Sequence, residues 1–130
     1  MAILVNFLDG NKGLEFLVSG LVYGADIIKA HNEFHTKEIN ALLKYKIIDK
    51  SKVTENHISV AEIESIAQLD NELIRNYPEI AILVIVSRYE DITTTQKWTA
   101  FSDIASNNLH FFTSRQEANK WITLNVNYDV

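Results

Sequence analysis

Two histidines four residues apart, in "HNEFH" (31–35), are the first residues of this chain whose spacing suits chemistry. One helical turn places His31 and His35 on the same face, where two imidazoles can share a zinc ion. The zinc-protease pattern needs Glu directly after the first His as general base. Here Asn32 stands in that place, Glu33 points elsewhere, and no obvious third ligand accompanies the pair. The expectation is a half-buried His31, an exposed His35, and no metal or other cofactor. Acid pairs such as Glu62/Glu64 and Glu90/Asp91 fall where helices begin, so they suit the positive end of a helix dipole. No serine sits in a G-x-S-x-G elbow that would pair it with a histidine as a nucleophile. An enzyme is therefore the less favoured class.

Two other stretches carry functional candidates. "SRYEDITTTQ" (87–96) leaves the apolar run "IAILVIV" (80–86), at the strand end where open α/β sheets place ligands. As a ligand or partner loop it offers Ser87, Arg88, Tyr89, Asp91, Thr93 and Thr94. As a plain polar loop it offers Asp91 or a threonine to cap the next helix. "IDKSKVTENHISVAEIESIA" (48–67) holds Ser51 and Ser59. Ser51 reads as an exposed residue of a charged loop. Ser59 opens "SVAE", a capping box in which Ser at the N-cap and Glu62 at the third helical position each bond the other's backbone amide. "SRQE" (114–117) has the same form. A phosphate on Ser59 would also suit a helix N-terminus, so cap and phosphorylation site are compatible.

All four glycines, Gly10, Gly13, Gly20 and Gly24, lie early in the chain. No later strand-to-helix junction contains one, which excludes a dinucleotide fingerprint and a P-loop, whose glycines let backbone amides approach phosphate.

The elements that must position these residues follow from composition and periodicity. A chain of 130 residues with 47% hydrophobic content suits one domain with a real core. A net charge of −5 with scattered lysines and arginines opposes nucleic-acid binding. The absence of cysteine excludes disulfides and thiolate metal sites and agrees with a cytoplasmic location. The apolar start "MAILVNFLDGNKG" reaches a charged turn too soon for a signal peptide or a membrane span, and "IAILVIV" suits a strand buried on both faces.

"AILVNFL" (2–8) and "LEFLVSG" (14–20) flank the turn residues "DGNKG" and read as a hairpin. A helix with Ile27, Ile28, His31 and Phe34 follows, then a short helical piece over 36–44. "YKIID" (45–49) reads as a strand, residues 59–77 as an amphipathic helix stopped by Pro78, and 80–86 as the next strand. A helix over 91–106 turns Trp98, Phe101, Ile104 and Ala105 inward; "LHFF" (109–112) is a short strand; "SRQEANKWI" (114–122) is the last helix, and "TLNVNYDV" stays ambiguous. The expected fold is a single α/β domain over 1–130, a mixed, mostly parallel sheet with an N-terminal hairpin, in the order ββαβαβαβα.

Asp49, Ser51, Val53, the 80–86 run, Trp98, Phe112 and "EANKWI" (117–122) occur in an order that resembles small bacterial proteins of the STAS-like superfamily, specifically an uncharacterised single-domain branch. This is the fold of sulfate-transporter domains and anti-sigma factor antagonists, and the resemblance covers about residues 14–122. It implies a hairpin followed by βα units advancing across a mixed sheet. It also implies a non-enzymatic module that binds a protein partner, a nucleotide or an apolar ligand. The expected role is therefore a regulatory or binding module acting through a protein partner or small ligand, with a homodimer as one form. Because some STAS-like proteins resemble CRAL-TRIO lipid binders, a carrier of an apolar or anionic small molecule is the alternative. Antagonist members are phosphorylated on a serine in a D-S-S-G-L turn, and Ser59 stands near that serine. Val60 stands near the glycine, so the turn that presents the hydroxyl has lost its most permissive residue.

Overall fold

The computed structural model describes residues 3–101 and 108–126. The hairpin forms as the turn residues demand: Asp9, Gly10 and Asn11 all have positive φ, and they join β1 (Ile3–Leu8) to β2 (Gly13–Tyr23). Helix α1 (Gly24–Phe34) and a single turn, α2 (Lys37–Asn40), lead into β3 (Tyr45–His57). Then come α3 (Val60–Asn76), β4 (Ala81–Ile85), α4 (Tyr89–Phe101), β5 (Leu109–Phe112) and α5 (Arg115–Asn125). The protein is thus α/β, with the expected element order plus the short α2.

The strands lie side by side in chain order, β1-β2-β3-β4-β5; β1 is antiparallel to β2, and every later pair is parallel. Right-handed crossovers that always step in one direction must all pass over one face of the sheet. Accordingly, Ile27 of α1, Ile63 and Ala67 of α3 and Trp98 of α4 share one core with Leu14, Phe16, Ile48 and Ile82. The opposite face packs Ala118 and Ile122 of α5 onto Tyr45, Ile47, Leu83 and Ile85. No helix among the described residues is long and apolar enough to cross a membrane.

Three expected boundaries need correction. β2 and β3 run well past residues 20 and 49, and Ser51 lies in a strand rather than a loop. The pairing of β3 with β4 ends at Asp49↔Ile85, so "SKVTENH" pairs with β2 alone, through register shifts between Leu17 and Ser19 and again between Gly20 and Leu21. This two-stranded extension still turns one face inward, where Val22 and Val53 are buried in the main core. Ser51 sits at the first of these bulges, where its amide and hydroxyl both donate to Asp49 Oδ1, at 3.0 and 2.6 Å. The third correction concerns 87–96: α4 already begins at Tyr89, so Tyr89, Asp91, Thr93 and Thr94 are helical, while Ser87 and Arg88 form the connection. Packing of Ile92 and Trp98 into the core outweighs the poor helix propensity of the threonines. Ile104 and Ala105 lie outside the described residues, and Thr123–Asn125 of the ambiguous tail belong to α5.

Candidate functional site

Ser59 is the N-cap of α3. Its Oγ accepts from Glu62 N at 3.2 Å, and Glu62 Oε1 accepts from Ser59 N at 2.9 Å, completing the capping box. The amide of Ser59, its hydroxyl and the amide of Ala25 hold the Glu62 carboxyl below its ordinary pKa. Gly24 makes room for this arrangement, since a Cβ there would stand 2.6 Å from Glu62 Cβ. The starts of α1 and α3 are thus tied through one carboxylate, and Ser59 is the residue that orients it. Ser59→Ala is expected to destabilise the fold by about 1 kcal/mol, whereas Ser59→Asp, itself a good cap, retains stability; urea denaturation of both variants measures this. The second box is incomplete: Ser114 Oγ accepts from Glu117 N at 3.2 Å, but Glu117 Oε1 faces the hydroxyls of Thr113 and Ser114 at 3.0 and 3.4 Å.

Of the segment 87–96, Ser87 and Arg88 connect β4 to α4, while Tyr89, Asp91, Thr93 and Thr94 fall in the first turns of α4. Arg88 donates from Nη1 to Val53 O at 2.9 Å, fastening the start of α4 to the β3 extension. The apolar cavity nearby, between Ile27, Ile63, Val84 and Trp98, measures about 30 Å³. That is room for about one water molecule.

The most unusual chemistry joins the two histidines to a buried ion pair that the sequence did not single out. Lys46 of β3 and Asp70 of α3 are only 2% and 1% exposed, and Lys46 Nζ donates to Asp70 Oδ1 at 3.3 Å. The same ammonium lies 3.3 Å from His31 Nδ1 and 4.9 Å from the Phe16 ring centroid. A lysine can only donate, so His31 Nδ1 is the acceptor and the proton of the neutral ring sits on Nε2. The His31 and His35 rings touch in a tilted arrangement, with centroids 4.4 Å apart and planes 43° from parallel. Asn40 Nδ2 donates to His35 O at 3.4 Å, which turns Asn40 Oδ1 toward His35 Nδ1 at 2.8 Å. His35 therefore carries its proton on Nδ1, and Nε2 is a bare lone pair.

Charge follows from this geometry. Burial, with Lys46 alongside, lowers His31 to about pKa 2 and His35 to about 3, so both are neutral at any ordinary pH. Burial pushes the Asp70 carboxyl up, against the pull of Lys46. Asp70 Oδ2 and His35 Nε2 are buried with no hydrogen-bond partner among the described residues. His31 and His35 are thus buried and half-buried respectively, each deeper than the sequence suggested. No group of three potential ligands that could hold a metal occurs among the described residues.

Above the cluster, α1, α2 and α3 border an open groove of about 570 Å³, lined by His31, His35 and Asn40 and by the polar side chains of Asn32, Glu72 and Asn76. A groove of about 640 Å³ at the Lys44 end of the sheet differs in kind. There Lys44 pairs with Glu79 at 2.9 Å, and the side-chain amides of Asn108 and Asn125 donate to backbone carbonyls.

A signal for the buried cluster did exist. Asp70 falls on the stripe Ile63, Ala67, Asp70, Ile74, and Lys46 is an inward position of "YKIID". A lone charge on an apolar stripe calls for a partner. On the other face of the sheet, Arg115 of α5 bridges two buried acids, Glu15 and Asp49, and Asn6 donates to Glu15 at 2.9 Å. Asp49, which also holds Ser51, therefore anchors both the β3 bulge and α5. No protein-family model matches the chain, and no match is found among curated proteins.

Proposed function

We propose that this protein is a non-enzymatic binding module of STAS-like fold that takes a small polar ligand in the groove between α1, α2 and α3. The observation that carries this reading is the groove itself, an open space of about 570 Å³ that three helices line with the polar side chains of His35, Asn32, Glu72 and Asn76. The exposed side-chain amides of Asn32 and Asn76 offer donors and acceptors that can orient a polar ligand. The groove's volume falls within the range of about 300–1,000 Å³ usual for small-molecule sites, whereas the apolar cavity is far smaller, which favours the groove over a carrier of an apolar molecule. Histidines held neutral down to about pKa 2 and 3 are poor general bases, which favours binding over catalysis. The sheet in chain order, opening with a hairpin, supports the STAS-like assignment.

The test is an amide NMR titration of the full chain with a library of small polar metabolites. The expected result is a compound whose shifts cluster on Asn32, His35, Asn40 and Asn76 and vanish in Asn76→Ala. Absence of such shifts at millimolar concentrations, or shifts that cluster elsewhere, overturns the assignment.

A further inference from the structure

β1 reads "ILVNFL", with no charge and no proline, and its register against β2 is unbroken from Ile3↔Val18 to Leu8↔Gly13. It stands at the edge of the sheet, and among the described residues no strand lies beyond it. Alternate residues of such a strand direct their N–H and C=O groups outward, away from the partner they already have. Proteins usually protect an apolar edge with lysine, proline, a bulge or a covering segment, because an open one pairs with other chains. β1 has none of the first three. Two of its side chains also remain open: Leu4 is 60% exposed on one face, and Phe7 is 42% exposed on the other.

We infer that β1 pairs antiparallel with β1 of a second copy, joining two sheets into one across a two-fold axis. A strand paired antiparallel with itself is self-complementary, as a closed dimer requires. The surface beside the edge has the matching symmetry. Between β1 and α1 runs a groove of about 250 Å³, with Ile3, Val5 and Phe34 as apolar lining and Asp26, Lys29 and Glu33 as charged lining. Phe7 meets Phe34 with ring centroids 6.3 Å apart, near the ends of both elements, so β1 and α1 run in the same direction. A two-fold axis at Val5 then sets the two α1 helices antiparallel, with Ala30 near the axis. Lys29 of each copy comes within about half a helical turn of Glu33 of the other. The row of acid, lysine, acid along α1 is thus complementary to its own reversed image, and two reciprocal ion pairs flank the joined strands. This second copy is a different occupant, at a different surface, from the ligand of the α1–α2–α3 groove.

Sedimentation equilibrium of the full chain across micromolar concentrations tests the pairing. The wild type is expected to dimerise reversibly, and Leu4→Lys, at an exposed position, to remain folded by circular dichroism but monomeric. Lys29→Glu and Glu33→Lys alone each weaken the dimer about tenfold, because two attractions become repulsions; the double exchange restores it. Hydrogen exchange of the β1 amides should slow as concentration rises. A wild type that stays monomeric overturns the inference. So does a dimer indifferent to Leu4→Lys and to the charge exchange, since it must use another surface.

Discussion

On acidification from pH 6.5, the unfolding free energy of this protein is expected to fall steeply, by up to about 1.4 kcal/mol per pH unit for each of His31 and His35. Unfolded, both histidines take up protons below their ordinary value of 6.5; folded, they stay neutral until about 2 and about 3. Across that window the unfolded chain binds more protons, so stability is lost as pH falls. If both count in full, the loss reaches about 5 kcal/mol by pH 4.5, which is comparable with the whole stability of many domains. Asp70 acts in the opposite sense. Its pKa is raised on folding, so the folded state gains as pH falls through that raised value. The net slope is therefore somewhat below the histidine sum. Urea titrations at stepped pH values measure it, and His35→Gln should remove about half. A flat profile between pH 6.5 and 4.5 would show that the histidines are charged in the folded protein.

Breaking the Lys46–Asp70 pair is expected to produce the largest single-residue loss. Each group is almost completely removed from water, so deleting one leaves the other as an uncompensated buried charge. Lys46→Met should cost about 3–5 kcal/mol. Lys46→Met combined with Asp70→Leu should recover most of that, because the pair itself earns little against well-packed apolar side chains. The cycle of single and double variants, followed by denaturant unfolding, gives the coupling directly. Near-additive losses would mean that the two side chains do not act as a pair. His31 should also respond: without the ammonium beside it, its imidazole loses one of the causes that keep it neutral.

Much of the architecture was legible in local pattern. Positive-φ residue types marked the hairpin turn, three- and four-residue apolar steps marked α3, and Pro78 marked its end. The capping box at Ser59 was visible because all its parts lie within one helical turn, and the structure forms it. At the start of α5 the same four-residue pattern closes only halfway, since the neighbouring hydroxyl of Thr113 competes for Glu117. The start of α4 was misplaced for a related reason. A run of threonines has weak local preference, and contact with the core decided the outcome.

What the sequence by itself determined is the set of elements, their order, and those boundaries that a cap, a turn or a proline marks locally. These depend on periods of two and 3.6 residues and on side chains reaching their own backbone. Only the tertiary structure decided that Lys46 meets Asp70, 24 residues away, and that His31 and His35 close over them. Only it decided that Asp49 serves a bulge and Arg115 together, and that β1 stands at the edge of the sheet. The physical reason is common to these cases. Each depends on which elements the sheet order and the one-sided crossovers bring face to face, and no local period carries that information.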